Sequence, residues 1–258
     1  MQALRTGFAK QSSLLFGLDY FVAALLAMTK RGDNSPPPSW MRLYEAAWLG
    51  ARAWRGFGHL GPRGPIDGPP ALVIPGFIAN DRTTMELRRA LAGDGWRVHP
   101  WELGWNMGVR ADTVDKLRAR LDLISPDEPM LVVGWSLGGV FARALALAHP
   151  ERVRAVVTLG SPFSGDPRAN NVWKLYEAIA GHKVDETPIE RRSDKPEVPT
   201  LAFWSRNDGI VAPAAARGLA HESDKAVELT CTHMAFGVSR STAKQVVHEI
   251  DTFLKSVA

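Results

Sequence analysis

From residue 71 onward, short apolar segments alternate with amphipathic helical patterns, and this alternation constrains the fold more than any other feature. The segments predicted to be strands are 71–74, 96–99, 130–133, 153–159, 199–204 and 226–230. Helices are predicted over 83–91, 112–124, 137–149, 171–180 and 242–256. Because parallel strands need crossover connections, which are usually helices, the pattern predicts an α/β fold. We expect a mostly parallel sheet of about six strands, flanked by helices on both faces.

The junction between the third predicted strand and its helix contains Gly134-Trp135-Ser136-Leu137-Gly138, which matches the pattern G-x-S-x-G. In this pattern the serine lies at a sharp, strained turn, so that its hydroxyl projects above the sheet. We expect that side chains at positions 134 and 138 would collide with the neighbouring strand and helix. Ser136 is therefore the predicted nucleophile, and a serine in an ordinary glycine-rich turn is the alternative.

A serine nucleophile needs a base, and the base needs a carboxylate that orients it. Asp208 follows the strand predicted at 199–204, at the edge where open α/β sheets place their sites. Asp166, which follows the preceding predicted strand, is the alternative acid. His233 follows the last predicted strand and fits the chain order serine, acid, histidine. We therefore predict Asp208 and His233 as the partners of Ser136.

Two backbone N–H groups are expected to stabilise the negatively charged oxygen of a reaction intermediate. One belongs to Leu137, the residue after the predicted nucleophile. The other belongs to Phe77, in the loop after the first predicted strand, where Gly76 allows the backbone to turn. These two amides form the predicted oxyanion hole.

The chain from about residue 71 to 258 resembles the α/β-hydrolase superfamily, and it is most similar to the compact bacterial lipase and esterase branch. The segments that carry the resemblance are Ile74-Pro-Gly-Phe77, Gly134-Trp-Ser-Leu-Gly138, Leu159-Gly-Ser-Pro-Phe163, Ser205-Arg-Asn-Asp-Gly209 and Thr232-His233. The resemblance implies a serine hydrolase that cleaves a carboxylic ester of a small apolar molecule through an acyl-enzyme. An acyltransferase or a thioesterase with the same three residues is the alternative. Many members have His-Gly where this chain has Pro75-Gly76, but a backbone donor at Phe77 should still function.

A segment rich in glycine and proline, residues 55–70, marks the clearest domain boundary. We predict an N-terminal helical extension over 1–68 that packs on the core, and an α/β-hydrolase catalytic domain over 69–258. Residues 165–198 are long for a single crossover, and the resemblance implies a small lid or cap there. A plain crossover helix with a loop is the alternative for this segment.

The predicted extension contains an aromatic stripe at helical spacing, formed by Trp40, Leu43, Tyr44, Ala47, Trp48, Ala51 and Trp54. We expect the stripe to pack into the core, and the lining of an apolar substrate channel is the alternative. Glu45 falls on another face of the same helix. Residues 14–28 are also apolar but are fewer than the ~20 residues of a membrane span. We expect them to pack on the protein, while a peripheral membrane contact and a signal-peptide core stay open.

Composition excludes several other classes of protein. The formal net charge is +4, but the basic residues are scattered, so we expect no nucleic-acid partner. Cys231 is the single cysteine, which excludes a disulfide framework and a cysteine-rich zinc site. No metal, nucleotide or flavin motif occurs, so we expect no metal and no other cofactor. We expect a cytoplasmic location, with membrane association as the alternative and secretion left open, and the sequence does not indicate an oligomeric state.

Overall fold

A six-stranded parallel sheet lies at the centre of the described part of the chain. The structure is a computed structural model, and it describes residues 35–42, 44–46, 61–189, 192 and 194–257. The strands are β1 (Pro70–Ile74), β2 (Arg97–Pro100), β3 (Met130–Trp135), β4 (Val153–Leu159), β5 (Thr200–Trp204) and β6 (Lys225–Glu228). Their order across the sheet is β2-β1-β3-β4-β5-β6, and every neighbouring pair is parallel.

Helices connect these strands and cover both faces of the sheet. Within the described ranges they are α1 (Met85–Gly93), α2 (Thr113–Ile124), α3 (Leu137–Ala148), α4 (Trp173–Ala180), α5 (Pro213–Arg217), α6 (His233–Val238) and α7 (Arg240–Val257). A short 3-10 turn covers Pro150–Arg152. The α/β fold class and its predicted strands and helices are confirmed. The sequence did not predict α5 and α6, because helices this short present too little periodicity.

The apolar core consists of two layers, one on each face of the sheet. Successive side chains of a strand point to opposite faces, so β1, β3 and β4 contribute to both layers. Val73 and Val133 belong to the layer covered by α1, α6 and α7. Leu72 and Val132 belong to the layer covered by α2 and α3. Burial on both faces explains why the inner strands β1, β3, β4 and β5 are nearly continuous apolar runs instead of alternating ones.

The turn from β3 into α3 is so closely packed that two of its positions admit only glycine. A Cβ on Gly134 would lie 2.2 Å from the carbonyl oxygen of Gly138 and 2.3 Å from the backbone nitrogen of Gly139. A Cβ on Gly138 would lie 2.4 Å from the carbonyl oxygen of Ile74 on β1. Because the obstructing atoms are backbone atoms, no side-chain rotation relieves these contacts. The predicted need for glycine at positions 134 and 138 is confirmed.

The aromatic stripe of the extension does not pack into the core where the structure describes it. Residues 41, 42 and 44–46 are helical, but Trp40 and Tyr44 are 39% and 64% exposed and contact each other edge to face. The buried face of this helical segment is instead formed by Met41 and Glu45, four residues apart. The prediction of core packing was therefore wrong for Trp40 and Tyr44, and neither lines the pocket described below. Leu43 and the stripe members from Ala47 to Trp54 lie outside the described residues.

The described ranges contain no helix that is long and apolar enough to cross a membrane. The apolar segment 14–28, for which a membrane contact was considered, lies outside the described residues. So does most of the predicted extension 1–68, and its packing on the core stays a prediction apart from the contacts of its described residues, 35–42, 44–46 and 61–68.

Gly134→Ala is expected to lower the free energy of unfolding by about 1–3 kcal/mol or more, because an added methyl group in a packed interior forces the backbone to move. Gly93 is the matched control, since a Cβ on this last residue of α1 would meet no atom within 4 Å. Gly93→Ala should leave stability unchanged or raise it by up to ~1 kcal/mol. Urea unfolding of both variants provides the measurement. A Gly134→Ala variant as stable as the wild type would contradict the packing described.

Candidate functional site

Ser136 occupies a strained backbone conformation between β3 and α3. Its φ of 55° and ψ of −123° lie in a region that residues with a side chain rarely adopt. Such a conformation costs on the order of 1–3 kcal/mol and persists only when the surrounding structure enforces it. Here the Ser136 N–H donates to the carbonyl oxygen of Leu159 on β4 at 2.8 Å. The half-buried serine also immediately precedes α3, at the positive end of the helix dipole.

Asp208 and His233 form a buried hydrogen-bonded pair at the carboxyl end of the sheet. The distance between Asp208 Oδ2 and His233 Nδ1 is 2.8 Å, and the two residues are 1% and 3% exposed. The other oxygen of Asp208, Oδ1, accepts from the N–H groups of Ile210 and Val211 at 2.8 and 2.7 Å. These bonds fix the carboxylate in the loop after β5. His233 is the first residue of α6, which follows the loop after β6.

Several close contacts bring this pair to the same end of the sheet as Ser136. Trp135, which precedes the serine, donates from Nε1 to the carbonyl oxygen of His233 at 3.1 Å. A Cβ on Gly160, just after β4, would lie 3.0 Å from Asp208 Oδ2 and 3.1 Å from His233 Nδ1. The pair therefore packs directly against the end of the strand next to β3.

The pKa of His233 reflects two opposing influences. Burial lowers it, but the neighbouring carboxylates of Asp208 and Glu45 outweigh burial and hold the pKa above its ordinary value of about 6.5. The imidazolium form consequently persists to higher pH than in a solvated histidine. A neutral imidazole that can accept a proton predominates only above this raised pKa.

The loop after β1 lies beside Ser136 and is held in place by Asn106. A Cβ on Gly76 would lie 3.0 Å from Ser136 Cβ, a tighter contact than side chains ordinarily make, so the loop comes very close to the serine here. The buried Asn106 donates from Nδ2 to the carbonyl oxygen of Pro75 at 2.8 Å. The backbone carbonyl oxygen of Asn106 accepts from the Ile78 N–H at 2.8 Å. No motif predicts this role, since Asn106 is a single asparagine in the loop after β2.

The amides predicted to form an oxyanion hole lie next to the close contact between Gly76 and Ser136. Phe77 and Leu137 both line the same pocket as Ser136. Within the described part of the chain, neither the Phe77 N–H nor the Leu137 N–H has a hydrogen-bond acceptor. Two unengaged N–H groups at one pocket could bind an oxygen atom that gains negative charge.

The pocket that Ser136 opens into has a volume of about 110 Å³ and a largely apolar lining. Residues of the predicted lid, 165–198, form much of one wall, and they include Trp173 and Tyr176 of α4. The rings of Phe77 and Tyr176 contact each other in a tilted arrangement, with 5.2 Å between their centroids. The pocket thus lies between the turn that carries Ser136 and the segment predicted to cover it.

The alternative acid and two of the other histidines are engaged elsewhere. Asp166 is exposed, and its Oδ1 accepts from the Arg168 N–H at 2.8 Å in a local turn. His182 Nε2 lies 3.1 Å from the carbonyl oxygen of Val109, and His149 terminates α3. Among the described residues, no group of three or more His, Cys, Asp or Glu side chains could hold a metal ion.

Glu45 is a buried residue at this site that sequence reasoning missed. Its carboxylate accepts hydrogen bonds from the backbone N–H groups of Gly209, His233 and Met234. The predicted buried face of this helix rests on its aromatic residues, so Glu45 falls on another face and receives no predicted role. The exposure of Trp40 and Tyr44 and the burial of Glu45 are two consequences of the same helix orientation.

Comparison with known proteins supports the fold described above. A family model described as alpha/beta hydrolase fold matches residues 54–182, which is half of the 258-residue chain. Asp208 and His233 lie beyond the matched range. A stretch of 93 residues is 43% identical to the pimeloyl-[acyl-carrier protein] methyl ester esterase of Salmonella heidelberg (strain SL476). That stretch is 35% of this chain and 36% of the esterase, so the chain spans only about a third of that relative's length.

Solved structures show the same fold at low sequence identity. A putative aryl esterase from Burkholderia cenocepacia superposes with a TM-score of 0.56 at 15% identity, covering 75% of this chain and 94% of that one. A monoacylglycerol lipase from Paleococcus ferrophilus superposes with a TM-score of 0.57 at 14% identity, covering 75% of this chain and 98% of that one. The matched family model, the parallel sheet and the strained turn at Ser136 agree, and the chain belongs to the alpha/beta hydrolase family.

Proposed function

We propose that this alpha/beta hydrolase is a serine carboxylic-ester hydrolase that works through an acyl-enzyme on Ser136. The observation that carries the proposal is the buried 2.8 Å bond between Asp208 and His233, which lies at the sheet end that also presents the strained serine. A carboxylate on Nδ1 fixes the tautomer of the imidazole, so that Nε2 is the nitrogen free to accept a proton. That is the requirement for activating a serine hydroxyl.

In the first half of the proposed reaction, Ser136 Oγ attacks the carbonyl carbon of the ester while its proton passes to His233 Nε2. The carbonyl oxygen becomes negatively charged and accepts hydrogen bonds from the N–H groups of Phe77 and Leu137. The bond to the leaving alcohol then breaks, and the imidazolium returns the proton to that alcohol. An acyl group esterified to Ser136 remains.

In the second half, a water molecule attacks the acyl carbonyl carbon and gives a proton to His233 Nε2. The bond to Ser136 Oγ breaks, the serine recovers the proton, and a carboxylic acid leaves. Asp208 stays ionised throughout and stabilises the imidazolium that forms in each half. The same residues therefore serve both steps without a cofactor.

An apolar acyl group is the substrate feature that the pocket supports best. The lining around Ser136 is largely apolar, so burial of a hydrocarbon chain contributes roughly 25 cal/mol per Å² of apolar surface removed from water. The partial match to an esterase named for a methyl ester supports ester cleavage as the reaction. Because that match covers a third of the relative, its own substrate is not assigned to this chain.

Location and partners belong to the same proposal. We expect a cytoplasmic enzyme whose partner is a small apolar ester, without nucleic acid. A peripheral membrane contact through residues 14–28 stays an alternative, and co-sedimentation of the full chain with phospholipid vesicles tests it.

Ser136→Ala is expected to abolish ester hydrolysis, with a loss of roughly 10⁴–10⁶ in kcat, because the nucleophile is removed. Alanine keeps the Cβ that the turn already accommodates, so the variant should fold. The measurement is turnover of p-nitrophenyl butyrate, with circular dichroism to verify folding. Ser241→Ala, at an exposed position of α7, is the matched control and should retain full activity. Retention of more than about 1% of turnover by Ser136→Ala would remove this serine from the nucleophile role.

Asp208→Asn is expected to lower kcat by about four orders of magnitude, since an amide favours the wrong tautomer of His233. Asp166→Asn serves as its control, because Asp166 is exposed and holds only a local turn. The same p-nitrophenyl ester assay compares the two variants. If Asp166→Asn were the crippling change, the orienting acid would be assigned to the wrong strand end.

Short acyl chains are expected to give the highest kcat/KM in a series of p-nitrophenyl esters from acetate to palmitate. The pocket volume of about 110 Å³ is smaller than the ~150 Å³ apolar cavity that holds a benzene molecule, so a long chain must extend beyond the pocket. Activity should therefore be greatest near butyrate or hexanoate and fall steeply toward palmitate. An enzyme that prefers palmitate would contradict the pocket volume described.

A further inference from the structure

The N-terminal extension places one carboxylate behind the Asp208 and His233 pair. Glu45 is 5% exposed, and its Oε1 accepts from the Gly209 N–H at 2.9 Å and from the His233 N–H at 2.7 Å. Its Oε2 accepts from the Met234 N–H at 2.8 Å. One side chain thus joins the loop after β5, which carries the acid, to the start of α6, which carries the histidine.

A second set of contacts fixes the extension to the same loop. Asn171 donates from Nδ2 to the carbonyl oxygen of Pro37 at 2.9 Å and to that of Gly209 at 2.8 Å. A Cβ on Gly209 would lie 2.9 Å from the carbonyl oxygen of Met41, so the extension lies directly on this residue. These contacts hold the helical segment in the orientation that points Glu45 inward.

Three convergent N–H donors identify the group that this position requires. A carboxylate offers only acceptors, so it can satisfy all three amides, and hydrogen bonds to a charged acceptor are stronger than neutral ones. A glutamine in the same place would present an NH₂ group toward at least one of the amides. The site is therefore built for an ionised acid of this length.

We propose that Glu45 is a positioning residue for the reaction, through which the N-terminal extension holds the Asp208 loop and His233 in their productive arrangement. This inference rests on the proposed function, since it assigns His233 the role of base. Glu45 contacts backbone amides and not the reacting atoms, so it acts through the two residues it positions. Misplacement of such groups by about 1 Å can cost ~100-fold in rate.

The charge of Glu45 gives this role a distinctive signature. The titratable groups placed around His233 are Asp208 from the loop after β5, Glu45 from the extension, and Cys231 two residues earlier in the chain. Burial raises the pKa of the Cys231 thiol, so it stays neutral near pH 7. Against the lowering effect of burial, Asp208 is the larger influence that raises the pKa of His233, and Glu45 adds to it. Removal of the Glu45 charge should therefore lower that pKa.

The test is the pH dependence of kcat/KM for p-nitrophenyl butyrate with the full-length Glu45→Gln variant. We expect kcat to fall about 10- to 100-fold and the acidic limb of the profile to move to lower pH than in the wild type. Glu86→Gln is the matched control, because the Glu86 carboxylate pairs with Arg89 on α1, and it should leave both quantities unchanged. Unchanged kcat, or a lower kcat with an unmoved acidic limb, would overturn the proposal.

A second variant covers the case in which Glu45→Gln does not fold. Glu45→Asp keeps the charge but shortens the side chain, so we expect an acidic limb close to that of the wild type together with a lower kcat. Wild-type kcat in Glu45→Asp would overturn the positioning role. Ser136→Ala in the same assay separates the two hypotheses: if it remains active, the proposed function fails, whatever the Glu45 variants show.

Discussion

The buried hydrogen bond between Asp208 and His233 is the interaction on which the account of this site depends. A carboxylate and an imidazole that are both almost fully buried lose their hydration, and only mutual contact and further hydrogen bonds compensate for that loss. The fold supplies those bonds from both sides. Ile210 and Val211 donate to the acid, and Glu45 accepts from the amide of His233 itself. The pair is therefore held by backbone amides of the loop after β5 and by the side chain of Glu45.

The parallel sheet explains why these parts meet. The carboxyl ends of parallel strands lie at the same edge of the sheet. The loops after β1, β3, β5 and β6 all begin at that edge. Close packing then fixes the turn from β3 into α3 against β1, because glycines at 134 and 138 leave no space for a side chain. The strain at Ser136 is maintained by this packing. Stability of the sheet and geometry of the site are thus properties of the same contacts.

The sheet and the turn from β3 into α3 could be predicted from the sequence because both depend on local signals. Apolar runs bounded by turn residues locate strands such as β3, and Gly134 and Gly138 bracket Ser136 at fixed spacing. Glu45 and Asn106 escaped prediction because their partners are remote in sequence. Gly209 lies 164 residues after Glu45, and Pro75 lies 31 residues before Asn106. Tertiary contacts likewise determine which face of the helical segment that contains Glu45 is buried. Periodicity alone assigned the buried face to Trp40 and Tyr44, which are exposed.

In the proposed mechanism, Ser136 forms a covalent bond with substrate while His233 and Asp208 activate it. Labelling with an alkyl fluorophosphonate tests this most directly, because the reagent bonds covalently to an activated serine and the adduct survives proteolysis. Intact mass followed by peptide mapping should find one adduct per chain, on Ser136. Labelling should be much slower in Asp208→Asn and absent from Ser136→Ala. An adduct on another residue, or ester turnover by a protein that the reagent leaves unlabelled and uninhibited, would contradict the account.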